Sequence, residues 1–222
     1  MHIGLIGGTG PAATISYYMR LISAFKDAEI ALELTIVHAD VSTLVENAAN
    51  DRRQAQAEIF ARHIRQLKGA GCDVAVITAL TGHFCIEEVE ELSELPLVSP
   101  IGLIDQYCLE HGVKTLGLLG GPSVLSSRLF GLLQGPETVI PKDDPDGVGD
   151  IYLEIAMSGV CSAANRRALI GAGSAMVRDQ RADAVLLAGT DLGLAFDNQD
   201  IDYRVIDALE IHVDGLVSLA SA

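Results

Sequence analysis

The feature that most constrains the fold of this chain is an internal repeat. Three apolar segments of the first half recur in the same order in the second half: Ile3–Gly8 as Leu116–Gly121, Asp73–Ile77 as Asp183–Leu187, and Leu97–Pro100 as Arg204–Asp207. The offsets, 116 − 3 = 113, 183 − 73 = 110 and 204 − 97 = 107, drift only through loop length. Chance could supply one such match, but three in order indicate two similar halves.

Short apolar runs alternate with longer segments of helical period, a pattern typical of βα units around a parallel sheet. The predicted strands are His2–Ile6, Leu34–His38, Val74–Thr78, Leu97–Ser99, Thr115–Leu119, Thr138–Pro141, Ala184–Ala188 and Arg204–Ile206. The predicted helices are Ala12–Phe25, Arg53–Ala70, Ile101–His111, Ser126–Leu133, Ile151–Ser158, Ala163–Gln180 and Ala208–Leu219. We therefore expect an α/β protein of two pseudo-symmetric domains, each with a parallel sheet of about four strands flanked by helices.

Ligands of open parallel sheets bind beyond the carboxyl ends of the strands. Two related halves are thus expected to share a ligand cleft between those ends, with position 79 opposite position 189 at the 110-residue offset. Ala79 and Gly189 stand in these two positions. Neither residue has a functional side chain.

Charge, hydropathy and cysteine content limit the kinds of partner and site that this chain is expected to have. The formal net charge of −15 predicts an acidic surface that repels phosphate backbones, so nucleic acid is not an expected partner. No apolar run approaches a bilayer span, and the start of the chain lacks the charged region of a signal peptide, so we expect a soluble cytoplasmic protein without a membrane partner. The four cysteines form no CxxC pair and are expected to be buried apolar residues rather than a metal or disulfide site.

Glycine loops follow the first strand of each half. In the first, Gly8, Thr9 and the nearby Thr14 are candidate ligand-binding residues; in the second, Gly121 and Ser123 are. Backbone N–H groups near a helix N-terminus suit a small anion.

Two other segments allow competing interpretations. Gly8–Ala13 also fits the looser GxGxxA form of a dinucleotide fingerprint, but Asp40 lies beyond the expected ribose position, so the small anion is favoured. The segment Pro141–Gly147 is predicted to be a solvated polar loop rather than a metal site.

The motifs resemble those of the aspartate/glutamate racemase superfamily, whose members racemise amino acids without a cofactor. The opening Gly7-Gly8-Thr9-Gly10-Pro11-Ala12-Ala13-Thr14 is similar to the family's GGxGPxAT start, and Leu116–Ser123 resembles its second glycine loop. Further likenesses are Ile151-Tyr152 at the head of a helix that ends by Gly159, and Ile206-Asp207 before a helix that contains His212.

The resemblance implies two catalytic thiols, in CNTxH in the first half and GCTE in the second. Here Ala79–His83 and Ala188–Asp191 occupy those motifs, so both thiol positions are empty. Cys85 lies six residues beyond the first position, too far along the next helix to replace the thiol. The family's usual basic residue after the second strand is also missing, since Ala39–Asn47 holds no Lys or Arg.

Other groups at these strand ends could carry protons. His83 could act as base or acid near neutral pH, or it could serve only to orient its loop. Asp191 could be its partner, or could cap the next helix. Thr81 and Thr190 are candidates to donate to a substrate oxygen, and Thr78 joins Ala79 and Gly189 as an expected substrate contact.

The resemblance also implies the wider organisation. Crossovers near residues 99 and 207 would give a first domain of residues 1–99 plus 207–222 and a second of residues 100–206. The expected activity is a PLP-independent amino-acid racemase or isomerase type on a small carboxylate, with no cofactor or metal, in a homodimer. The alternatives are a non-racemising anion-binding protein and a lyase or hydrolase that uses His83 and Asp191.

Overall fold

A computed structural model describes residues 1–222, which form two compact units, Met1–Pro100 with His212–Ala222, and Ile101–Ile211. The first unit holds a parallel sheet of strand order β2-β1-β3, formed by β1 (His2–Gly7), β2 (Glu33–His38) and β3 (Val74–Ile77). Every residue of β3, and all but the first of β1, is buried. These strands are covered on both faces, which explains why they are continuously apolar.

The second unit repeats this arrangement. Its parallel sheet has the order β5-β4-β6-β7, from β4 (Thr115–Leu119), β5 (Glu137–Val139), β6 (Ala184–Leu187) and β7 (Val205–Asp207). Ile3 pairs with Val74 in the first sheet and Leu116 with Ala184 in the second, so the offsets of 113 and 110 recur as equivalent strand pairings. The predicted α/β class and the two similar halves are confirmed.

The first sheet falls short of its predicted fourth strand. Leu97 forms a single parallel bridge with Ala75 instead of a strand over Leu97–Ser99. Pro96 precedes the bridge and Pro100 opens the next helix, which leaves only three residues between them. Because proline has no N–H to donate, the ladder cannot extend at either end.

Helices flank both sheets. The helices that precede Pro100 are α1 (Pro11–Asp27), α2 (Val41–Ala49), α3 (Arg53–Gly69), the 3-10 helix Leu80–Cys85 and α4 (Ile86–Leu92). Those that follow are α5 (Pro100–Glu110), α6 (Pro122–Ser126), the 3-10 turn Leu129–Gly131, α7 (Pro145–Ser158), α8 (Ala163–Gln180), α9 (Gly193–Phe196) and α10 (Ala208–Ala220). No helix is long and apolar enough to cross a membrane.

The helices differ from the predictions in three places. Residues 41–49, where no helix was predicted, form α2, which Asp40 caps by accepting from the Thr43 N–H at 2.8 Å. The helix predicted at Ser126–Leu133 does not form: α6 ends at Ser126, and the next turn takes left-handed backbone angles, with φ of 60° at Phe130. Residues 145–147 of the predicted polar loop belong to α7, which Asp144 caps and Pro145 opens.

Candidate functional site

The carboxyl end of β1 turns into α1 through the loop Gly7–Gly10, whose residues are all buried. Gly8 has a φ of 85°, and a Cβ there would lie 2.4 Å from the Ala39 carbonyl oxygen, so only glycine fits. The N-cap of the 17-residue α1 is Gly10, which has no side chain to compete with a ligand at this position. The loop thus leads directly into a helix N-terminus, where the helix dipole favours an anion.

The two threonines of this segment have different environments. Thr14 Oγ1 accepts from the Gly8 N–H at 2.8 Å and donates to the Gly10 carbonyl at 3.1 Å, so the hydroxyl ties the loop together. Thr9 is 7% exposed, and its buried Oγ1 has no hydrogen-bond partner. An unpaired buried hydroxyl costs about 1–3 kcal/mol, which marks Thr9 as a polar group that a ligand oxygen could satisfy.

The neighbouring strand β3 ends in the predicted segment Thr78–His83. Thr78 is fully buried, and its hydroxyl donates to the Ile6 carbonyl at 2.9 Å across the sheet. Ala79 is extended and 5% exposed, and Thr81 is half-buried in the 3-10 helix that follows. The ends of β1 and β3 therefore lie side by side, since Ile6 pairs with Ile77.

His83 lies within this 3-10 helix and is 2% exposed. Its Nδ1–H donates to the Ala79 carbonyl at 3.2 Å, which leaves the lone pair of the neutral ring on Nε2. Burial lowers the pKa of His83 to about 4, so the ring is neutral at pH 7. His83 thus contacts the backbone of the empty thiol position, as the loop-orienting alternative requires, and retains a basic nitrogen.

A second buried imidazole, His212 of α10, was noted in the sequence only as part of the family pattern. Its Nε2–H donates to the Val98 carbonyl at 2.9 Å, and its Nδ1 accepts from the Tyr17 hydroxyl at 2.8 Å. Burial, with a smaller effect of His83, lowers the pKa of His212 to about 3. Two buried neutral histidines therefore belong to the first unit. Spacing along the chain could not reveal this, because residues 83 and 212 lie far apart in sequence.

Cys85, the cysteine nearest to position 79 in sequence, is not available as a base. Cys85 is fully buried and its thiol donates to the Gly82 carbonyl at 3.5 Å. Burial, with a smaller contribution from Glu88, raises the pKa of this thiol to about 12. Cys85 is therefore a neutral thiol at physiological pH.

In the second unit, the glycine loop after β4 is also closely packed. A Cβ at Gly120 would lie 2.7 Å from the Ala188 carbonyl oxygen, and Gly121 is the N-cap of the five-residue α6. Ser123 is half-buried within α6, and its carbonyl accepts from the Ser127 hydroxyl. Helix α7 packs against α6 through Gly149, where a Cβ would meet Pro122 at 3.0 Å.

The end of β6 brings together Gly189, Asp191 and a residue without a sequence-predicted role, Tyr152 of α7. A Cβ at Gly189 would lie 2.2 Å from Cε2 of Tyr152, so the ring fills the space of the missing side chain. The Tyr152 hydroxyl donates to Oδ2 of Asp191 at 3.4 Å. Burial first, and then the Asp191 charge, raise the pKa of Tyr152 well above its usual value.

Asp191 and Thr190 are both buried, at 2% and 5% exposure. Helix α9 begins at Gly193 with Leu192 as its N-cap, and the Leu194 N–H donates to the backbone carbonyl of Asp191 at 3.1 Å. The Asp191 carboxylate accepts from the Tyr152 hydroxyl. The expected pairing of Ala79 with Gly189, and the roles of the other candidates, stay predictions.

Two other features bear on possible ligands. A cavity of about 240 Å³ lies in the second unit between the residue 141–144 segment and helices α7 and α8, and it contains none of the predicted site residues. No three His, Cys, Asp or Glu side chains stand close enough together to hold a metal ion. Asp40, which lies beyond the expected ribose position, accepts from Thr43, whose N–H and hydroxyl hold the pKa of the Asp40 carboxyl below its usual value.

The family comparison and the structural comparison both point to racemases. The model of the Asp/Glu/Hydantoin racemase family matches residues 6–216. An aspartate racemase homologue from Pyrococcus horikoshii OT3 is 26% identical, with a TM-score of 0.81 over 100% of this chain and 99% of that one. Two further structures share the fold. Picrophilus torridus aspartate racemase is 22% identical, with a TM-score of 0.78 over 100% of this chain and 95% of that one. Glutamate racemase from Francisella tularensis in complex with D-glutamate is 13% identical, with a TM-score of 0.69 over 98% and 80%.

Proposed function

Since this chain belongs to the Asp/Glu/Hydantoin racemase family, we propose that it is a PLP-independent isomerase of the amino-acid racemase type that acts on a small carboxylate without a pair of catalytic thiols. The Francisella relative binds D-glutamate, an amino acid with two carboxylates, which supports this substrate class. The homodimer and cytoplasmic location implied by the family are part of the proposal. Light scattering on the purified protein would test the dimer.

The observation that carries the proposal is the buried, unpaired hydroxyl of Thr9 in the glycine loop that leads into the N-terminus of α1. A carboxylate oxygen can accept from this hydroxyl and from backbone N–H groups, and the helix dipole favours its negative charge. Gly8 leaves no room for a side chain above the loop. A neutral ligand would bind less tightly to the same hydroxyl and N–H groups, because it carries no charge for the helix dipole to stabilise.

The proposed chemistry excludes thiols because no cysteine fits the task. Ala79 and Gly189 occupy the family's thiol positions, and the Cys85 thiol is protonated. The candidate acid–base groups are His83 and Asp191, with Thr81 and Thr190 as donors to a substrate oxygen. A ring whose pKa is about 4 can take a proton through Nε2 at neutral pH but cannot supply one as a stable imidazolium.

Binding can be tested before any activity is known. Thermal-shift and calorimetric titrations with D- and L-aspartate, D- and L-glutamate and succinate should find at least one ligand. Thr9→Val, which removes only the hydroxyl, should weaken that ligand about tenfold, the loss expected of one charge-assisted hydrogen bond. Thr138→Val on strand β5 is the matched control. Equal affinity of the Thr9 variant and the wild type would refute the carboxylate site.

Turnover is tested by NMR in D2O. An isomerase exchanges the substrate α-proton for deuterium, and His83→Ala should abolish the exchange. Cys85→Ala should retain it, because the thiol has no proposed role. Unchanged exchange in His83→Ala, or its loss in Cys85→Ala, would contradict these assignments.

A second candidate function is a protein that binds a small anion without racemising it. Two observations favour a binding protein over an isomerase. The low pKa of His83 makes the ring a weak base, and the Tyr152 ring fills the space beside Gly189 where a second proton-transfer group would stand. For such a protein, calorimetry should detect a bound ligand, and NMR in D2O should show no deuterium at the α-carbon of that ligand. Exchange by a clean preparation, lost in His83→Ala, would exclude it.

A further inference from the structure

Position 189 has no space for a side chain. The Gly189 carbonyl accepts from the Leu192 N–H at 2.9 Å, and the preceding Ala188 N–H donates to the Leu119 carbonyl at 2.7 Å. The backbone is therefore held on both sides of the glycine. A Cβ would lie 2.2 Å from Cε2 of Tyr152 and 2.8 Å from both Cδ2 and Cζ, distances that require the ring to move.

The ring of Tyr152 is itself held in place. Tyr152 lies in the middle of α7, which Asp144 caps at one end and Gly159, in a left-handed conformation, closes at the other. Its side chain is buried and its hydroxyl donates to Oδ2 of Asp191. A ring on a capped helix, with its polar end bound to a buried carboxylate, cannot swing away without losing that bond.

We infer that Tyr152 is a positioning residue that closes position 189 with its ring and orients the Asp191 carboxylate with its hydroxyl. The same residue, Tyr152, then accounts both for the glycine at position 189 and for the orientation of Asp191. Gly189→Cys alone would not give a usable thiol, because the Tyr152 ring occupies the space of the new side chain. The inference rests on the proposed function only in treating Asp191 as a candidate site residue.

The occlusion can be tested without any ligand. Gly189→Cys is made in the wild type, in Tyr152→Phe, which keeps the ring, and in Tyr152→Leu, which removes it. The unfolding equilibrium should show a coupling of about tenfold or more between Gly189→Cys and Tyr152→Leu, and little between Gly189→Cys and Tyr152→Phe. Iodoacetamide labelling of the introduced thiol, read by peptide mass spectrometry, should be faster only in the Leu background. Equal unfolding cost and equal labelling in all three backgrounds would overturn the occlusion.

The second half of the inference needs a signal that packing alone would not change. NMR of tyrosine labelled with ¹³C at Cζ gives one line for each of the five tyrosines, and Tyr152→Phe identifies the relevant line. In Asp191→Asn the Tyr152 line should titrate at lower pH than in the wild type, because the neighbouring negative charge is gone. The same midpoint in both proteins would overturn the orientation of Asp191 by Tyr152. Neither measurement depends on turnover, so a failure of the proposed function would leave both results interpretable.

Discussion

Acidification should destabilise the first unit through His83 and His212, two imidazoles of its core. Burial lowers the pKa of His83 to about 4 and of His212 to about 3, whereas an imidazole in an unfolded chain has a pKa near 6.5. Between these values the unfolded chain binds protons that the folded chain does not. The free energy of unfolding is therefore highest above pH 6.5 and is progressively lost as the pH falls toward the folded-state pKa values.

The magnitude follows from the two pKa values of each ring. Between pH 7.5 and 5.5, a ring that protonates only in the unfolded chain lowers the free energy of unfolding by about 1.4 kcal/mol, so the pair should lower it by about 2.7 kcal/mol. The carboxyls of Glu88 and Asp183 have pKa values below their usual range in the folded protein, so their effect comes mainly at lower pH. The window above pH 5.5 thus reports chiefly on the histidines and stays clear of the isoelectric point near 4.6.

The assay is urea unfolding followed by far-ultraviolet circular dichroism, since the chain has no tryptophan. His212→Gln retains a donor for the Val98 carbonyl and an acceptor for the Tyr17 hydroxyl but cannot titrate. It should halve the loss of stability between pH 7.5 and 5.5. His111→Gln, at an exposed ring, is the control and should leave the loss unchanged. A wild type equally stable at both pH values, or an unchanged loss in His212→Gln, would refute the reasoning.

Three further predictions concern the first glycine loop and its surroundings. Gly8→Ala should destabilise the protein by about 2–3 kcal/mol, because its Cβ meets the Ala39 carbonyl at a φ of 85°, and a thermal midpoint equal to the wild type would contradict this. Thr14→Val should cost about 2 kcal/mol through two lost hydrogen bonds and weaken carboxylate binding, whereas Thr14→Ser should do neither; calorimetry distinguishes them. Asp40→Ala should lower the thermal midpoint while Asp40→Asn, still a good cap, preserves it. Neither Asp40 substitution should affect carboxylate affinity. A lower affinity in both variants would indicate that Asp40 contacts the ligand.

The fold was largely predictable because its signals are local. Buried parallel strands are continuously apolar, and the repeated order of such strands indicated two equivalent halves before any contact was known. The shortened fourth strand around Leu97 and the helix at residues 41–49 were missed. Their causes, a pair of prolines and an Asp40 cap, are visible in the sequence.

The candidate site was only partly predictable. The emptiness of positions 79 and 189 is a property of the sequence, as is the glycine loop that contains Thr9 and Thr14. Which of those two threonines has a free hydroxyl depends on the distance from Thr14 to the Gly8 N–H, and only the folded loop sets that distance.

Residue types and their order determined the α/β class, the two halves and the lack of a thiol at either strand end. Only the tertiary structure decided that His83 is buried and neutral, that it shares its unit with His212, and that Tyr152 covers Gly189. The physical reason is that periodicity reports how a segment meets a core, whereas a pKa or an occupied space depends on groups brought together from distant parts of the chain.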